Sequence, residues 1–273
     1  MIRRARPWLG TIVEIACDDL PAIEAGFAAI AHAHARMSFH EATSDLAALR
    51  DAIPGSAVAV DPETVQVLRF AVDLHRATDG LFDVTIGRQL VATKFLPRMT
   101  AHSLTYYNGT SSDIEIVDDS HVRCHQPMLI DLGGIAKGHA VDMAVAAIQA
   151  AGATRAIVNA GGDLRVFGPD AETIWLRLAD GRLGGSLEAR NLAVASSSNL
   201  LYRRTSRGAD HSPHIGVGRK AMLSDQTITV TAPTCIYADA MTKIAMADAA
   251  LAERLLAPFG GAVIVNPCLS EAA

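Results

Sequence analysis

The sequence of 273 residues predicts an α+β fold with at least one largely antiparallel sheet. Two observations carry this. In the first third, apolar residues recur at helical spacing, at 21–37 and again at 62–80. From about residue 128 onward, short apolar runs alternate with Gly, Asn and Asp turns, the pattern of strands. No repeat, linker or low-complexity block interrupts the chain. One domain over 1–273 is expected, with room for two intimate lobes but no readable boundary.

Taken in order, residues 8–17, WLGTIVEIAC, alternate as a first strand. The preceding MIRRARP is positively charged, but the apolar part after it is short and holds Glu14, so it reads as a strand and not as a signal peptide. The expected compartment is the cytoplasm, or the periplasm if a leader has been removed. Residues 21–37 form a helix after a Pro start. Thr43 or Ser44 can cap a short helix ending near Ala52. Asp61-Pro62 opens a third helix that Gly80 closes. Residues 81–96 are mixed, and YYNGTSSD marks a turn. MLIDLG reads as a strand running into a helix over roughly 136–151, with Gly152 just beyond it. RAIVNAGGDLRVFG is strand–turn–strand, and TIWLRLAD and NLAVASSS are further strands, with GRLGG between them only a turn. Residues 203–226 read as a polar loop containing histidines. TITVTAP is a strand, CIYADAMTKIAMADAALAERLLAPFG one or two helices, and GAVIV a last strand.

Composition narrows the function. Half the residues are hydrophobic and aromatics are few, so cores are aliphatic. Lys and Arg number 24 against 29 Asp and Glu, a formal net charge of -5, and there is no long basic run. A nucleic-acid partner is not expected, whereas a single anionic ligand is compatible. Cys17, Cys124, Cys235 and Cys268 form no CxxC pair, so neither a zinc motif nor a disulfide framework is suggested. No apolar run reaches the roughly 18 residues a membrane span requires.

Four segments carry candidate chemistry. In DLGGIAKGHAVD the glycines let backbone approach a ligand, and N–H groups at a helix start attract phosphate. Lys137 can add a point charge, and Asp131 can accept hydrogen bonds from a ring or ribose. The Walker order, Gly-Lys-Ser/Thr, is absent, and a plain glycine turn with a surface lysine is the alternative. In NAGGDLRVFG, Asn159 and Asp163 can be polar contacts, but a simple hairpin explains the same residues. In YADAMTKIAM, Asp239 and Thr242 are three apart on one helix face and suit a hard cation such as Mg²⁺; a solvated helix face is the plainer reading. In ADHSPHIGVGRK, His211 and His214 are candidate general bases, against the usual surface histidine. His32 and His34 do not share a helix face and are treated as structural, whereas His40 is a site candidate. GVGRKA also fits the dinucleotide fingerprint G-x-G-x-x-A, but no apolar strand precedes Gly216 and a strand rather than a helix follows, so a nicotinamide site is set aside.

In order along nearly the whole chain, WLGT, MSFHEATSDLAAL, DGLFDVTIG, DLGGIAKGHAVD, VNAGGDLRVFG and APTCIYADAMTKIAM resemble the FAD:protein FMN transferase family, the ApbE-type flavin transferases. The resemblance implies an ApbE-type, T-fold-like core of antiparallel sheet and packed helices with a smaller lobe and a flavin cleft between them. It implies a transferase of a phosphorus-containing group that moves FMN from FAD onto a Thr or Ser hydroxyl of an acceptor flavoprotein, with Mg²⁺ as cofactor and AMP released. The cation would neutralise charge on the pyrophosphate, and a base would take the hydroxyl proton. Carried over residue by residue, the flavin site comprises Leu9, His40, Leu81, Phe82, Asp83, Asp131, Lys137 and Ile215. The metal site comprises the Gly134 carbonyl, Asp239, and Thr242 or the adjacent Lys243. The common family pattern has a threonine four residues after the aspartate, where this chain has Lys243; a protonated lysine cannot ligate through its side chain, so Thr242 is favoured. The base is assigned to His214, then His211. The family's His-x-x-Asp-Pro-Arg-Thr-Gly loop is replaced here by HSPHIGVGRK. Two alternatives share the same site: an FAD pyrophosphatase that yields FMN and AMP, and a non-catalytic FAD-binding protein.

Overall fold

The computed structural model describes residues 1–206 and 208–266; Cys268 lies outside them. Along the chain the elements are β1 (Ile2–Trp8), β2 (Thr11–Cys17), α1 (Leu20–Met37), α2 (Asp45–Asp51), β3 (Ala57–Ala59), α3 (Pro62–Ala77) and α4 (Gly87–Ala92). Then come β4 (Ile114–Ile116), β5 (His121–Cys124), α5 (Ala136–Ala150), β6 (Ala156–Ala160) and β7 (Asp163–Phe167). The rest are β8 (Glu172–Arg177), β9 (Leu183–Ala189), β10 (Leu192–Ser197), β11 (Arg204–Ser206), β12 (Ala209–His211), β13 (Thr227–Ala232), α6 (Cys235–Ala247), α7 (Ala249–Leu256) and β14 (Ala262–Asn266). The fold is α+β, and every strand pair is antiparallel among the described residues. The chain forms two compact units, one of Met1–Ala31, Lys137–His214 and Met222–Ala273, the other of His32–Ala136 and Ile215–Ala221.

The first unit is built on a seven-stranded sheet in the order β1-β2-β6-β7-β10-β13-β14. Its first pair is a hairpin and not the single strand expected over 8–17. Trp8 faces Thr11 across Leu9 and Gly10, both at positive φ (56° and 72°). Two successive left-handed residues make the turn whose twist suits a two-residue hairpin. The β6–β7 turn uses the same device, with Gly161 at 68° and Gly162 at 104°, and Gly162 N–H donates to Asn159 Oδ1 at 2.9 Å. A side chain on Gly161 would collide with Thr11, so the two turns lie together.

Helix α6 packs on β7, β10 and β13, and α7 packs on α6 and β14. The meeting of α5 and α6 is close. A Cβ on Gly138 would collide with the Cys235 carbonyl and come within 2.8 Å of Asp239 Cβ. The Gly138 N–H donates to Asp239 Oδ2 at 3.1 Å. One turn further along α5, Asp142 accepts from Cys235 N–H at 3.0 Å and Ile236 N–H at 2.9 Å. A carboxylate from another helix therefore caps α6, whose own N-cap residue, Thr234, makes no side-chain cap bond.

The second unit holds α2, α3, α4 and a three-stranded sheet, β3-β5-β4. Ser44 caps α2 by accepting from Ala47 N–H, and Asp61 caps α3 ahead of Pro62. Buried Asp45 ties the two helices, accepting from Asp61 N–H at 2.9 Å and Thr64 Oγ1 at 2.6 Å. His32 reaches Asp61 at 2.9 Å. Phe39, Val91, Tyr107 and Leu129 form a local core.

Several expectations are corrected. In MLIDLG the apolar residues Met128, Leu129, Ile130 and Leu132 are buried but the segment belongs to no strand; Asp131 N–H donates to Val84 O and Leu129 O accepts from Gly87 N–H at the start of α4, so these backbone groups are paired one at a time and not in a ladder. The residues read as a loop over 203–226 contain the β11–β12 hairpin, and GRLGG runs into β9. Strands of three or four residues, such as β3, β4 and β5, are too short for alternation to register in the sequence.

Gly138→Ala tests the α5–α6 contact. In an ordinary helix interior this change stabilises by roughly 0.5–1 kcal/mol. Here the added methyl meets backbone, so a loss of about 1–3 kcal/mol is expected, read by urea unfolding. A gain would refute the close approach.

Candidate functional site

In the first unit, four charged side chains converge where α5, β7 and α6 meet. Lys137, in the first turn of α5, pairs with Asp163 at the start of β7, and its Nζ lies 3.9 Å from Asp239 Oδ2. Lys243 Nζ lies 2.5 Å from Asp239 Oδ1 and donates to Ser197 Oγ at 3.0 Å. Asp163 and Asp239 are buried, with relative exposures of 1% and 0%. Burial opposes charge on Lys137, but Asp163 and Asp239 outweigh it and raise its pKa. Burial likewise pushes Asp239 up, and Lys137 and Lys243 reverse this, holding it below the usual carboxylate range. Burial and the neighbouring Asp239 push Asp163 up, while Lys137 pulls it back.

The hydroxyls beside this cluster have a fixed order. Thr242 Oγ1 donates to the Asp239 carbonyl at 2.7 Å, which uses its only proton. Its 2.7 Å contact with Ser197 Oγ must therefore be donated by Ser197, whose lone pairs receive the Lys243 ammonium.

His214 belongs to the same unit. Its ring Nδ1 is buried and has no hydrogen-bond partner among the described residues. Burial first, then the Lys243 and Lys137 charges, lower its pKa to about 3. The imidazole is neutral at physiological pH. His211 lies at the end of β12, opposite Arg204. Leu9, in the first hairpin turn, is a non-glycine residue held at φ 56°.

In the second unit, Asp83 is a hub. Its Oδ1 accepts from Thr85 N–H at 2.8 Å, Thr85 Oγ1 at 2.7 Å and Ser111 Oγ at 2.8 Å. Arg219 reaches its Oδ2 at 3.5 Å and also donates to Thr85 Oγ1 at 2.8 Å and the Gly109 carbonyl at 2.6 Å. The Asp83 carboxylate is thus committed to organising its own loops. Phe82 is buried beside it, and Leu81 is partly exposed. Asp131 is raised to about 6 by burial, against a Gly133 N–H at 3.3 Å and the charge of His40. His40 is exposed and stands edge-on to Phe39. Gly134 lies in the turn that follows Asp131. Ile215 pairs with Ala221 in an isolated bridge that closes the GVGRK loop. That loop is a short turn and not the entry to a helix, so the dinucleotide fingerprint lacks its structural context.

The profile of the ApbE family matches residues 9–260. The chain belongs to the ApbE family. It is 30% identical over 187 residues to a FAD:protein FMN transferase of Rhodobacter capsulatus, covering 61% of this chain and 35% of that protein. The chain thus spans about a third of that relative's length. It is 23% identical over 223 residues to the FAD:protein FMN transferase of Vibrio cholerae, covering 76% of this chain and 67% of the relative. Among solved structures, the ApbE protein of Thermotoga maritima superposes with TM-score 0.82 at 23% identity, over 97% of this chain and 93% of that one. The Vibrio cholerae flavin transferase ApbE gives TM-score 0.79 at 20% identity, over 97% and 92%. These structural likenesses establish an ApbE-type fold.

The magnesium implied for an ApbE-type site does not fit the donors as arranged. Asp239 has both oxygens engaged, by Lys243 on one side and by Gly138 N–H with Lys137 nearby on the other. Thr242 is turned onto its own helix. Sequence reasoning left Asp163 to a simple hairpin and did not single out Ser197 or Arg219. Only Asp163 had a usable signal, an acid placed directly after a double glycine.

His214 and Asp131 predict opposite pH dependences. His214 ordinarily titrates near 6.5 and here near 3, so between those values the unfolded chain binds more protons and stability falls as pH falls. Asp131 is raised from 3.8 to about 6, so its folded form binds more protons and stability falls as pH rises through that window. In urea unfolding at pH 7.5 and 4.5, His214→Gln is expected to lose less stability on acidification than the native chain, and Asp131→Asn to lose more. Parallel losses in all three proteins would contradict both assignments.

Proposed function

We propose that this chain transfers FMN from FAD to a Thr or Ser hydroxyl of an acceptor protein, releasing AMP. The observation that carries the reading is Lys137. It stands charged in the first turn of α5, partly exposed, and is held by Asp163 and Asp239 in a chain of the ApbE family. An ammonium in the first turn of a helix is suited to a pyrophosphate. The names of the relatives from Rhodobacter capsulatus and Vibrio cholerae support FAD as donor and a protein as acceptor.

In this reading the acceptor hydroxyl oxygen attacks the flavin-side phosphorus of FAD. The new O–P bond forms, the bond from that phosphorus to the bridging oxygen breaks, and AMP leaves with that oxygen. The hydroxyl proton passes to His214, which is neutral and has an unpartnered ring nitrogen. A bound pyrophosphate would offset the Lys137 and Lys243 charges that depress His214, so its proton affinity rises when substrate is present. Lys137 holds negative charge on the departing phosphate. Magnesium enters no step, because the Asp239 oxygens already hold ammonium and amide donors.

Incubation with FAD and an acceptor protein, read by intact mass, tests this. The acceptor is expected to gain a covalent FMN, with one AMP released per transfer. Free FMN and AMP without adduct would identify a pyrophosphatase, and bound but intact FAD a binding protein. His214→Ala is expected to slow transfer by roughly 10²–10⁴-fold while sparing FAD affinity. Lys137→Ala is expected to weaken FAD binding itself, read by flavin fluorescence.

A further inference from the structure

The oxygen atoms around Lys243 have the chemistry of a cation cage. Asp239 Oδ1 lies 2.5 Å from the ammonium and Ser197 Oγ 3.0 Å from it. Ser197 is in turn oriented by Thr242, and Thr242 by the Asp239 carbonyl. A carboxylate and hydroxyls on one helix face and an adjoining strand are the donors a hard divalent ion takes. Here a lysine four residues after the aspartate, on the same face of α6, sets its own charge against the carboxylate and the Ser197 hydroxyl. The Lys243 side chain is 15% exposed, so the charge is held within the fold and not merely drawn from solvent. A divalent ion at Asp239 would face Lys243 at 2.5 Å from one oxygen and Lys137 at 3.9 Å from the other. Two ammonium groups at that range oppose its entry.

We infer that Lys243 is the resident cation of this site, supplying from the chain itself the positive charge that a divalent metal would otherwise bring, so that FAD is handled without metal. The inference deepens the reading proposed above and rests on it for the identity of FAD. Its structural half, that Lys243 keeps Asp239 from binding a divalent ion, stands separately. Removing the ammonium uncovers a buried carboxylate with too little compensating charge, which is a strong demand for a cation.

Mn²⁺ titration followed by electron paramagnetic resonance tests this on FAD-free protein. Native protein is expected to bind no Mn²⁺ through Asp239. Lys243→Thr is expected to bind Mn²⁺ at least about tenfold more tightly, and Lys243→Thr with Asp239→Asn to lose that gain. With FAD present, a chelator is expected to leave native FAD affinity unchanged. Lys243→Arg is expected to keep binding metal-independent, whereas Lys243→Thr becomes Mg²⁺-responsive. Native protein that binds Mn²⁺ and loses it on Asp239→Asn would overturn the inference, as would chelator-sensitive FAD binding. A folded Lys243→Thr variant without Mn²⁺ affinity would also overturn it. If Lys243→Thr does not fold, the native and Lys243→Arg measurements still decide. If FAD fails to bind under any condition, the flavin reading falls, while the Mn²⁺ contrast still judges Lys243.

Discussion

The hydrogen bond from the Gly138 amide to the Asp239 carboxylate is the contact on which the first unit's site depends. It exists because residue 138 has no side chain; any Cβ would strike the Cys235 carbonyl. With the helices that close, the lysine before the glycine falls beside Asp163 and Asp239. The acid four residues after it, Asp142, falls on the first amides of α6. The same carboxylate is gripped by Arg165 of β7 at 2.7 Å, so the cap, the helix and the sheet are fixed together. A sequence of Lys-Gly with an acid four positions later thus specifies where α6 starts and which face it presents. The position of Lys243 follows from that.

Charge balance explains why such a cluster can be buried. Two carboxylates with almost no exposure are costly alone. Two ammonium groups placed against them bring the formal sum to zero, and Ser197 and the Gly138 amide satisfy further valences. Such an arrangement is weak evidence for stability, since desolvation consumes most of the Coulombic gain. Its value is positional. It keeps ammonium groups charged at fixed points and adds to the burial that already makes the nearby His214 a poor proton holder. One set of residues thereby sets the electrostatic character of the site and reinforces the neutral state that burial imposes on its candidate base.

What could be read in advance follows from how local each cause is. The α3 start was legible because Asp61 and Pro62 act within one turn. The β6–β7 hairpin was legible because Gly161 and Gly162 supply left-handed backbone where the chain reverses. The 128–133 segment was misread because its apolar residues are buried by neighbours far away in sequence, and burial alone does not give a ladder partner. The candidate cluster was half legible. Asp239, Lys137 and His214 sat in recognisable segments, whereas Asp163 and Ser197 gain meaning only when β7 and β10 lie beside α6. Lys243 was visible as a departure from the family pattern, but its ion pair with Asp239 depended on a helix face whose surroundings the sequence does not show.

The replaced loop in the second unit separates scaffold from chemistry. The Asp-Pro-Arg-Thr-Gly run expected from the family resemblance includes a proline; GVGRKA has none. The chain turns instead with Gly218 and Arg219 both in the left-handed region, at φ 65° and 58°. Such backbone is easy for glycine but costs an arginine roughly 1 kcal/mol or more, and it persists only when something else holds it. That hold is the guanidinium, bonded to the Gly109 carbonyl and Thr85 and close to Asp83. Asp83 in turn fixes Thr85 and Ser111, so the arginine is locked to residues already rigid. This loop is therefore shaped by the bonds of its arginine side chain and not by a proline. The loss of the familiar run does not make this segment a degraded remnant, because a strained residue whose side chain makes three polar contacts is a specified structure. The loop is held in a defined conformation anchored by Arg219.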